Sequence, residues 1–511
     1  MRYLDAFSRA VDCHPDKAAL ITREENEVSY SALDAKSTAL AAGLDAYARG
    51  KRIGTLAVNS ELAVTSMIAG QKRGPGTTQL PFRNSLSNLV AMIETTETAG
   101  IVFDDANADT ALSLLETTSL DVAVHAGSDT ISHDRVIAFD DLIDNAETEG
   151  YTSSGEDEYG CFFTSGTINE PKAVNFDQEQ MWLGSTQVIM EMSITETDVG
   201  LMSAPWYHMF GTDAWILPHL QAGATLVVQS GFDPEEALQL IEKFNITGVP
   251  AVPTQLNAML RVLEDKSYDV SSLTKIRTGG AVVPAPLIER VEKELTEGVF
   301  NTYGCTEAGP NMTFAHPRVQ EDHPGTIGKK SYMWDLRVVE PAPPTEEPDV
   351  TAEVGPGGTG EIMVRGPGMS DGYMGDPDTL SPVIVDGWLR TKDIAAVDEE
   401  GYLVVIDRVD NMLNSGGENI YPQEVERVLE IHPAVLDVAV VGLPDEEWGH
   451  RIAAVIQSDK PVSDEELDTH CQSSDQLADF KRPRVYTITN KPLPRTETGT
   501  LQRSVVKEEY F

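Results

Sequence analysis

Residues 159–174 read Tyr159-Gly160-Cys161-Phe162-Phe163-Thr164-Ser165-Gly166-Thr167-Ile168-Asn169-Glu170-Pro171-Lys172-Ala173-Val174. The apolar run 159–163 predicts a buried strand, and a loop of hydroxyls, one glycine and one lysine follows it. Such a loop suits phosphate. Gly166 lets backbone N–H groups approach the oxygens, Thr164, Ser165 and Thr167 add hydroxyl donors, and Lys172 brings a point charge. The same residues would also make an ordinary polar loop between two strands. The stretch does not match the GxxxxGK[ST] nucleotide pattern, so by itself it leaves both readings open.

Outward from this loop, helix and strand alternate in both directions. Upstream, 30–41 and 61–71 read as helices on either side of a strand at 52–58. Downstream, strands at 225–229, 246–252 and 275–278 are separated by helices at 234–244 and 284–295. Alternation of this kind predicts parallel sheets with helices on their faces. The segment 336–407 changes character, with alternating apolar residues between Gly and Pro turns, as in Gly360-Glu361-Ile362-Met363-Val364-Arg365-Gly366. It reads as a small β subdomain, in which the proline-rich, acidic 341–348 is a solvated loop. After Asp410 the alternation resumes at 422–429 and 435–441, giving a last domain of roughly a hundred residues.

The chain has 511 residues, 82 acidic against 38 basic, and a formal charge of -44. Its 41% hydrophobic content and regular apolar segments argue against disorder, so the acidity belongs to a folded surface. That surface repels itself in dilute salt and is relieved by counterions, which points to a salt-rich cytoplasm. Nucleic acid and anionic membranes are poor partners for it. Cys13, Cys161, Cys305 and Cys471 are scattered without metal-type or disulfide spacing, as suits a reducing cytosol. No apolar stretch is long enough to span a bilayer, and the N-terminus lacks an apolar signal core. A soluble cytoplasmic protein with no integral membrane segment is the expectation.

Further stretches join the first loop. Pro205-Trp206-Tyr207-His208-Met209-Phe210-Gly211 precedes a helix, while Thr278-Gly279-Gly280-Ala281 and Asn301-Thr302-Tyr303-Gly304-Cys305-Thr306-Glu307-Ala308-Gly309 each end a strand. Gly387-Trp388-Leu389-Arg390-Thr391-Lys392-Asp393, Asp407-Arg408-Val409-Asp410 and Ser415-Gly416-Gly417-Glu418-Asn419-Ile420-Tyr421-Pro422 follow. In this order and spacing they resemble the adenylate-forming family of acyl-CoA synthetases, luciferases and peptide-synthetase adenylation domains. The resemblance covers essentially the whole chain, and joint occurrence by chance is negligible beside that of a single motif.

The resemblance implies an α/β fold: a large N-terminal domain over 1–409, made of two α/β layered subdomains plus a small β subdomain at about 336–409. A small mobile α+β C-terminal domain would occupy 410–511, swinging on Asp410 between two catalytic poses. It further implies ATP, Mg²⁺ and CoA as cofactors and a small-molecule carboxylic acid as substrate, in a monomer or homodimer. Thr164, Ser165, Gly166, Thr167 and Lys172 would hold phosphate, and Gly279, Gly280 and Ala281 would form the adenine wall with Tyr303 stacked on the base. Thr306 would join the nucleotide site, Glu307 and Thr167 would hold Mg²⁺, and Asp393 with Arg408 would take the ribose hydroxyls. His208 would sit at the mouth of the acyl pocket, and Gly416 and Gly417 would line the pantetheine channel. Each residue alone has a plainer reading: Tyr303 a core aromatic, Glu307 a solvated carboxylate, Asp393 and Arg408 surface charges, His208 a structural histidine, Asp410 a loop aspartate.

For the acceptor, Trp448 with Phe480, Lys481 and Arg482 resembles positions that contact the CoA nucleotide in aryl-CoA ligases, an aromatic for the base and cations for phosphate. Packing of Trp448 and Phe480 in the small domain's core is the competing reading. The acyl pocket, expected near 206–212, 249–254 and 305–312, reads as largely apolar, which suits an aliphatic or aromatic acid.

Two departures from the family pattern stand out. Asn169 and Ala173 occupy usual glycine positions of the phosphate loop. More seriously, Pro494-Arg495-Thr496-Glu497-Thr498-Gly499-Thr500-Leu501-Gln502-Arg503 places Thr500 where the family's adenylation lysine stands. A hydroxyl cannot replace an ammonium that bridges carboxylate and phosphate. Another cation could substitute (Arg495, Arg503, Lys507, or Lys392 beside Asp393), the enzyme could be slow or use adenylates made elsewhere, or the chain could be a non-catalytic nucleotide- or acyl-CoA-binding homologue. The retained ribose, Mg²⁺, hinge and pantetheine residues favour a working acid:CoA ligase.

Overall fold

The apolar run 159–163 is buried within the strand Glu158–Thr164, and Lys172 opens its antiparallel partner Lys172–Asp177, with Thr164 opposite Lys172. The computed structural model describes residues 1–152, 157–164, 172–343, 346–370, 372–375, 384–416, 418–445, 448–474, 477–495 and 501–511. The hairpin closes one edge of a seven-stranded sheet whose spatial order is Val136–Ala138, Val122–Ala126, Gly100–Asp104, Ile53–Leu56, Thr77–Gln79, Glu158–Thr164, Lys172–Asp177. All its pairings except the hairpin are parallel.

A nine-stranded sheet runs Lys329–Lys330, Gly309–Ala315, Val299–Cys305, Lys275–Gly279, Gly248–Pro250, Val199–Met202, Thr225–Val228, Ala18–Ile21, Glu27–Ser29. Its interior is parallel, and antiparallel strands close both edges. Local chemistry sets the helices between strands. Pro234–Phe244, for example, starts on Asp233, whose Oδ1 accepts the Glu236 N–H at 2.8 Å, and stops at left-handed Asn245.

One apolar cluster joins the two sheets, packing Tyr159, Phe162, Val174 and Phe176 of the smaller against Met202, Leu226, Val228, Phe300 and Phe314 of the larger. The outer face of the nine-stranded sheet buries Leu201, Val249, Ile276 and Val299 under the helices Pro234–Phe244, Pro253–Asp265 and Ala285–Glu294. Parallel strands covered on both faces explain the continuous apolar runs in the sequence.

The chain divides into two compact units, Met1–Asp335 with Arg365–Ile384, and Leu336–Val364 with Val385–Phe511. The second unit holds two five-stranded sheets, one built around Thr359–Arg365, Trp388–Val397 and Leu403–Arg408, the other around Asp437–Asp445, Gly449–Gln457 and Val485–Thr489. This division groups the β subdomain with the C-terminal segment, whereas the sequence reading separates them at Asp410. The grouping has a local cause. Ile394, Ile406 and Val409 pack with Tyr421, Arg427 Nη2 donates to the Val405 carbonyl, and Asp407 Oδ2 accepts the Gln423 N–H at 2.8 Å. All four cysteines are free thiols. No helix among the described residues is long and apolar enough to cross a membrane.

Candidate active site

In the first unit the expected nucleotide residues gather at the carboxyl ends of neighbouring parallel strands, where ligands of open α/β sheets bind. Lys275–Gly279 lies beside Val299–Cys305, with Gly279 opposite Thr302. Gly279 has φ +150°, and a Cβ there would stand 2.3 Å from the Thr302 carbonyl oxygen. Gly280, at φ +73°, meets nothing nearer than Val252 Cγ1 at 3.8 Å, and both it and Ala281 are exposed. The two glycines therefore do different jobs: Gly279 admits the neighbouring strand, and Gly280 leaves a flat, open backbone edge.

Tyr303 continues the second strand, and Thr306 and Glu307 lie on a 3₁₀ turn, Thr306–Ala308, directly beyond it. The Glu307 carbonyl accepts the Ser370 N–H at 2.8 Å, and its carboxylate Oε1 accepts the Tyr373 hydroxyl. The Lys172 ammonium lies 4.7 Å from the centre of the Tyr373 ring. The tyrosine is held by backbone, since it bridges Val174 in antiparallel fashion and the next residue, Met374, donates its N–H to Ala173 O at 2.8 Å. Thr164 and Lys172 thus come to the site at the facing ends of their hairpin. Ser165, Gly166 and Thr167 lie outside the described residues. Sequence reasoning passed over Tyr373, because only the fold brings 373 beside 172 and 307.

No group of three or more His, Cys, Asp or Glu that could hold a metal occurs among the described residues. A single carboxylate that shares Tyr373 with Lys172 still fits Mg²⁺, which keeps water and phosphate oxygens as most of its ligands.

His208 lies in the loop after strand Val199–Met202, its N–H bonded to Pro205 O at 3.1 Å and its ring 4.7 Å from that of Tyr207. Burial, with help from the charge of Arg83, pushes its pKa down to about 4, so the imidazole is neutral near pH 7. A neutral ring can orient a carboxylate by hydrogen bonding but does not carry positive charge to it. Met181, Met209 and Trp334 line a cavity with Gln187, Asp213 and Asn311. Polar side chains meet at this cavity. Asn311 Nδ2 donates to Asp213 Oδ2 at 2.8 Å, Arg277 Nη2 donates to Asn311 Oδ1 at 2.6 Å, and Asp213 Oδ1 has no hydrogen-bond partner among the described residues. Burial pushes the Asp213 carboxyl up to about 7, against the opposing pull of Arg277.

In the second unit, the buried Asp393 carboxylate accepts Arg408 Nη1 at 2.9 Å, and Lys392 Nζ stands 3.2 Å from Asp410 Oδ1. Gly416, at φ +63°, is covered by the Trp448 ring, since a Cβ there would fall 2.6 Å from Trp448 Cε3. Trp448 is 52% exposed and Phe480 47%, so neither is the core aromatic of the competing reading. Arg482 is engaged by Asp468 and, at 3.2 Å, by Asp479, and Lys481 by Glu424 at 2.5 Å. These cations would have to exchange partners to take a phosphate. Gly417 and Thr500 lie outside the described residues.

Residues 7–374 match the family model of the AMP-binding enzymes, and 424–500 match that family's C-terminal domain. The chain belongs to the AMP-binding enzyme family. Within the family it is 34% identical to a feruloyl-CoA synthase of Amycolatopsis over 352 residues, 68% of this chain and 69% of the relative. Among solved structures, o-succinylbenzoate CoA synthetase from Bacillus subtilis, in complex with its acyl-adenylate intermediate, superposes with a TM-score of 0.84 at 27% identity, covering 98% of this chain and 97% of that one. ATP-bound MatB from Rhodopseudomonas palustris gives 0.87 at 25% identity, covering 100% and 99%. The α/β architecture with a small C-terminal domain is that of these adenylate-forming enzymes.

Proposed function

We propose that this AMP-binding enzyme joins an aromatic carboxylic acid to CoA, using ATP and Mg²⁺ and passing through an acyl-adenylate. The observation that carries the reading is the cluster at the strand ends: an open glycine edge at Gly280, Tyr303 beside it, and Glu307 and Lys172 held by the same Tyr373. That set offers a flat surface for a base, a hard oxygen for Mg²⁺ and a cation for phosphate. The acid's carboxylate oxygen bonds to the α-phosphorus as the bond to the departing pyrophosphate breaks, and the CoA thiol then displaces AMP. Mg²⁺ supplies charge neutralisation on the phosphate oxygens.

An aromatic acid is favoured over an aliphatic one by the aryl-CoA relatives. Asp393 with Arg408 takes the ribose, Asp410 acts as the hinge, and half-exposed Trp448 and Phe480 meet the CoA nucleotide. The same reading carries a salt-adapted, cytoplasmic enzyme acting as a monomer or homodimer. Pyrophosphate release from ATP, in molar KCl with Mg²⁺ and a panel of aromatic and aliphatic acids, tests it with and without CoA. Release with aromatic acids, increased by CoA, is expected. Silence with every acid while ATP still binds would overturn the ligase reading.

A further inference from the structure

Asp213 carries a carboxylate oxygen that the fold buries and leaves open. The residue is 2% exposed and belongs to the short helical turn Thr212–Ile216 that follows His208. Its Oδ2 accepts Asn311 Nδ2 at 2.8 Å, while Oδ1 has no hydrogen-bond partner among the described residues. Arg277 donates instead to Asn311 Oδ1 at 2.6 Å and to the Ala214 carbonyl at 3.2 Å. A glycine keeps the space in front of Oδ1. A Cβ on Gly184, in helix Gln178–Met192, would stand 2.6 Å from Oδ1, and one on Gly309 would stand 3.3 Å from Oδ2. Both glycines line the cavity described above, which also reaches Met209, next to His208, and Ala308, next to Glu307. Room remains in it for about one water molecule.

We propose that Asp213 Oδ1 recognises a hydrogen-bond donor at the far end of the substrate acid, a ring hydroxyl or amino group, so that the enzyme selects hydroxy- or amino-substituted aromatic acids. The inference rests on the ligase reading above and names its substrate class. An ionised carboxylate only accepts hydrogen bonds, so the group it takes must donate. A carboxylate oxygen buried without a donor is unfavourable, and a ligand that brings one recovers that free energy on binding, whereas an unsubstituted ring leaves the oxygen unpaired. The room beside it sets the size: a single heavy atom with its hydrogens fits, and a methoxy group overfills it. Position sets the direction. Met209 and Ala308 adjoin His208 and Glu307, where the ligase reading places the acid's carboxylate and Mg²⁺, so an acid entering past them brings its far end to Asp213. Met181 and Met209, unbranched and flexible, are the walls that repack to admit the ring. The contact is a hydrogen bond, with no covalent step.

The test uses the full chain with ATP, Mg²⁺ and CoA in molar KCl, at alkaline pH above the value of about 7 to which burial pushes Asp213. The probes are benzoate, every ring isomer of hydroxybenzoate and of aminobenzoate, and the matching methoxybenzoates, which keep the oxygen but lose the donor. In the wild type, kcat/KM for pyrophosphate release should exceed that for benzoate by about 10- to 100-fold for an isomer of the hydroxy or the amino series, the worth of one hydrogen bond to a charged group. The two series tell which donor is used, and the methoxy series should show no gain. Asp213→Asn keeps an acceptor for Asn311 and turns an amide donor on the cavity, so the preference ratio should fall to about one. Gly184→Ala, which puts a methyl in front of Oδ1 at a helical position, should abolish the same preference, and melting midpoints report whether both variants fold. Equal kcat/KM for benzoate and all its donor-bearing isomers overturns the proposal in the wild type alone, and leaves the ligase reading standing. A preference that survives in folded Asp213→Asn also overturns it, assigning the donor contact elsewhere. Release with none of these acids overturns it as well, and aliphatic acids run alongside then decide whether the ligase reading survives.

Discussion

The Tyr373 hydroxyl donates to the Glu307 carboxylate, joining a residue at the end of the nine-stranded sheet to one that bridges the edge of the seven-stranded sheet. The same ring carries the Lys172 ammonium at 4.7 Å. Glu307 and Lys172 are the carboxylate and the cation that the ligase reading places on Mg²⁺ and phosphate, so one side chain sets both.

Removing that hydroxyl should loosen Glu307 while leaving the ring under Lys172. A hydrogen bond to a charged group is worth about 1.5–3 kcal/mol, so Tyr373→Phe should raise the half-saturating Mg²⁺ for pyrophosphate release by about tenfold. The rate at saturating Mg²⁺ should change much less. An unchanged Mg²⁺ titration would mean that Tyr373 does not position Glu307.

The adjacent glycines should separate fold from binding. Gly279→Ala forces a Cβ onto the Thr302 carbonyl and should be strongly destabilising, whereas Gly280→Ala meets open space and bears only the left-handed cost of about 1–2 kcal/mol. The expected result is a folded Gly280→Ala protein with weakened ATP binding by calorimetry, and a Gly279→Ala protein with a sharply lower melting midpoint.

Asp213 should leave a signature in the pH dependence of stability. Burial raises its folded pKa to about 7 from an ordinary 3.8, so the folded state holds a proton that the unfolded state has released. The resulting stability is complete below the unfolded pKa and is lost as pH rises through about 7, with a slope of up to about 1.4 kcal/mol per pH unit between the two values. Denaturant unfolding of Asp213→Asn against wild type should show that slope removed between pH 5 and 7.

Trp448 is half exposed over Gly416, so its loss should cost binding more than stability. Base stacking on an aromatic is worth about 1–3 kcal/mol, which sets a rise of about five- to 100-fold in the KM for CoA in Trp448→Ala. A lower melting midpoint with an unchanged KM would make it a structural residue instead.

With a formal charge of -44, the folded surface should be stabilised by screening. The melting midpoint is expected to rise by several degrees or more between dilute buffer and molar KCl, where the Debye length falls to about 3 Å. Full stability in salt-free buffer would count against salt adaptation.

Local chemistry determined most of the elements. The period of the apolar residues was enough to place helix Pro234–Phe244 at its observed limits, and the Gly–Pro turns marked the β subdomain. Motif order was enough to gather Gly279, Tyr303, Glu307, Asp393 and Trp448 into one functional reading. What only the tertiary structure decided are relations between distant segments. Tyr373 reaches Glu307 and Lys172 because a strand edge receives it, and Asp213 becomes a raised-pKa carboxyl because the closed fold buries it, against the opposing pull of Arg277 and Asn311. Arg503 and Lys392 are equal candidates in the sequence, yet one is locked to a buried glutamate and the other rests against an exposed aspartate. Spacing along the chain carries propensity and pattern. Burial and partner geometry, which set the energy of a charge, exist only once the chain has closed on itself.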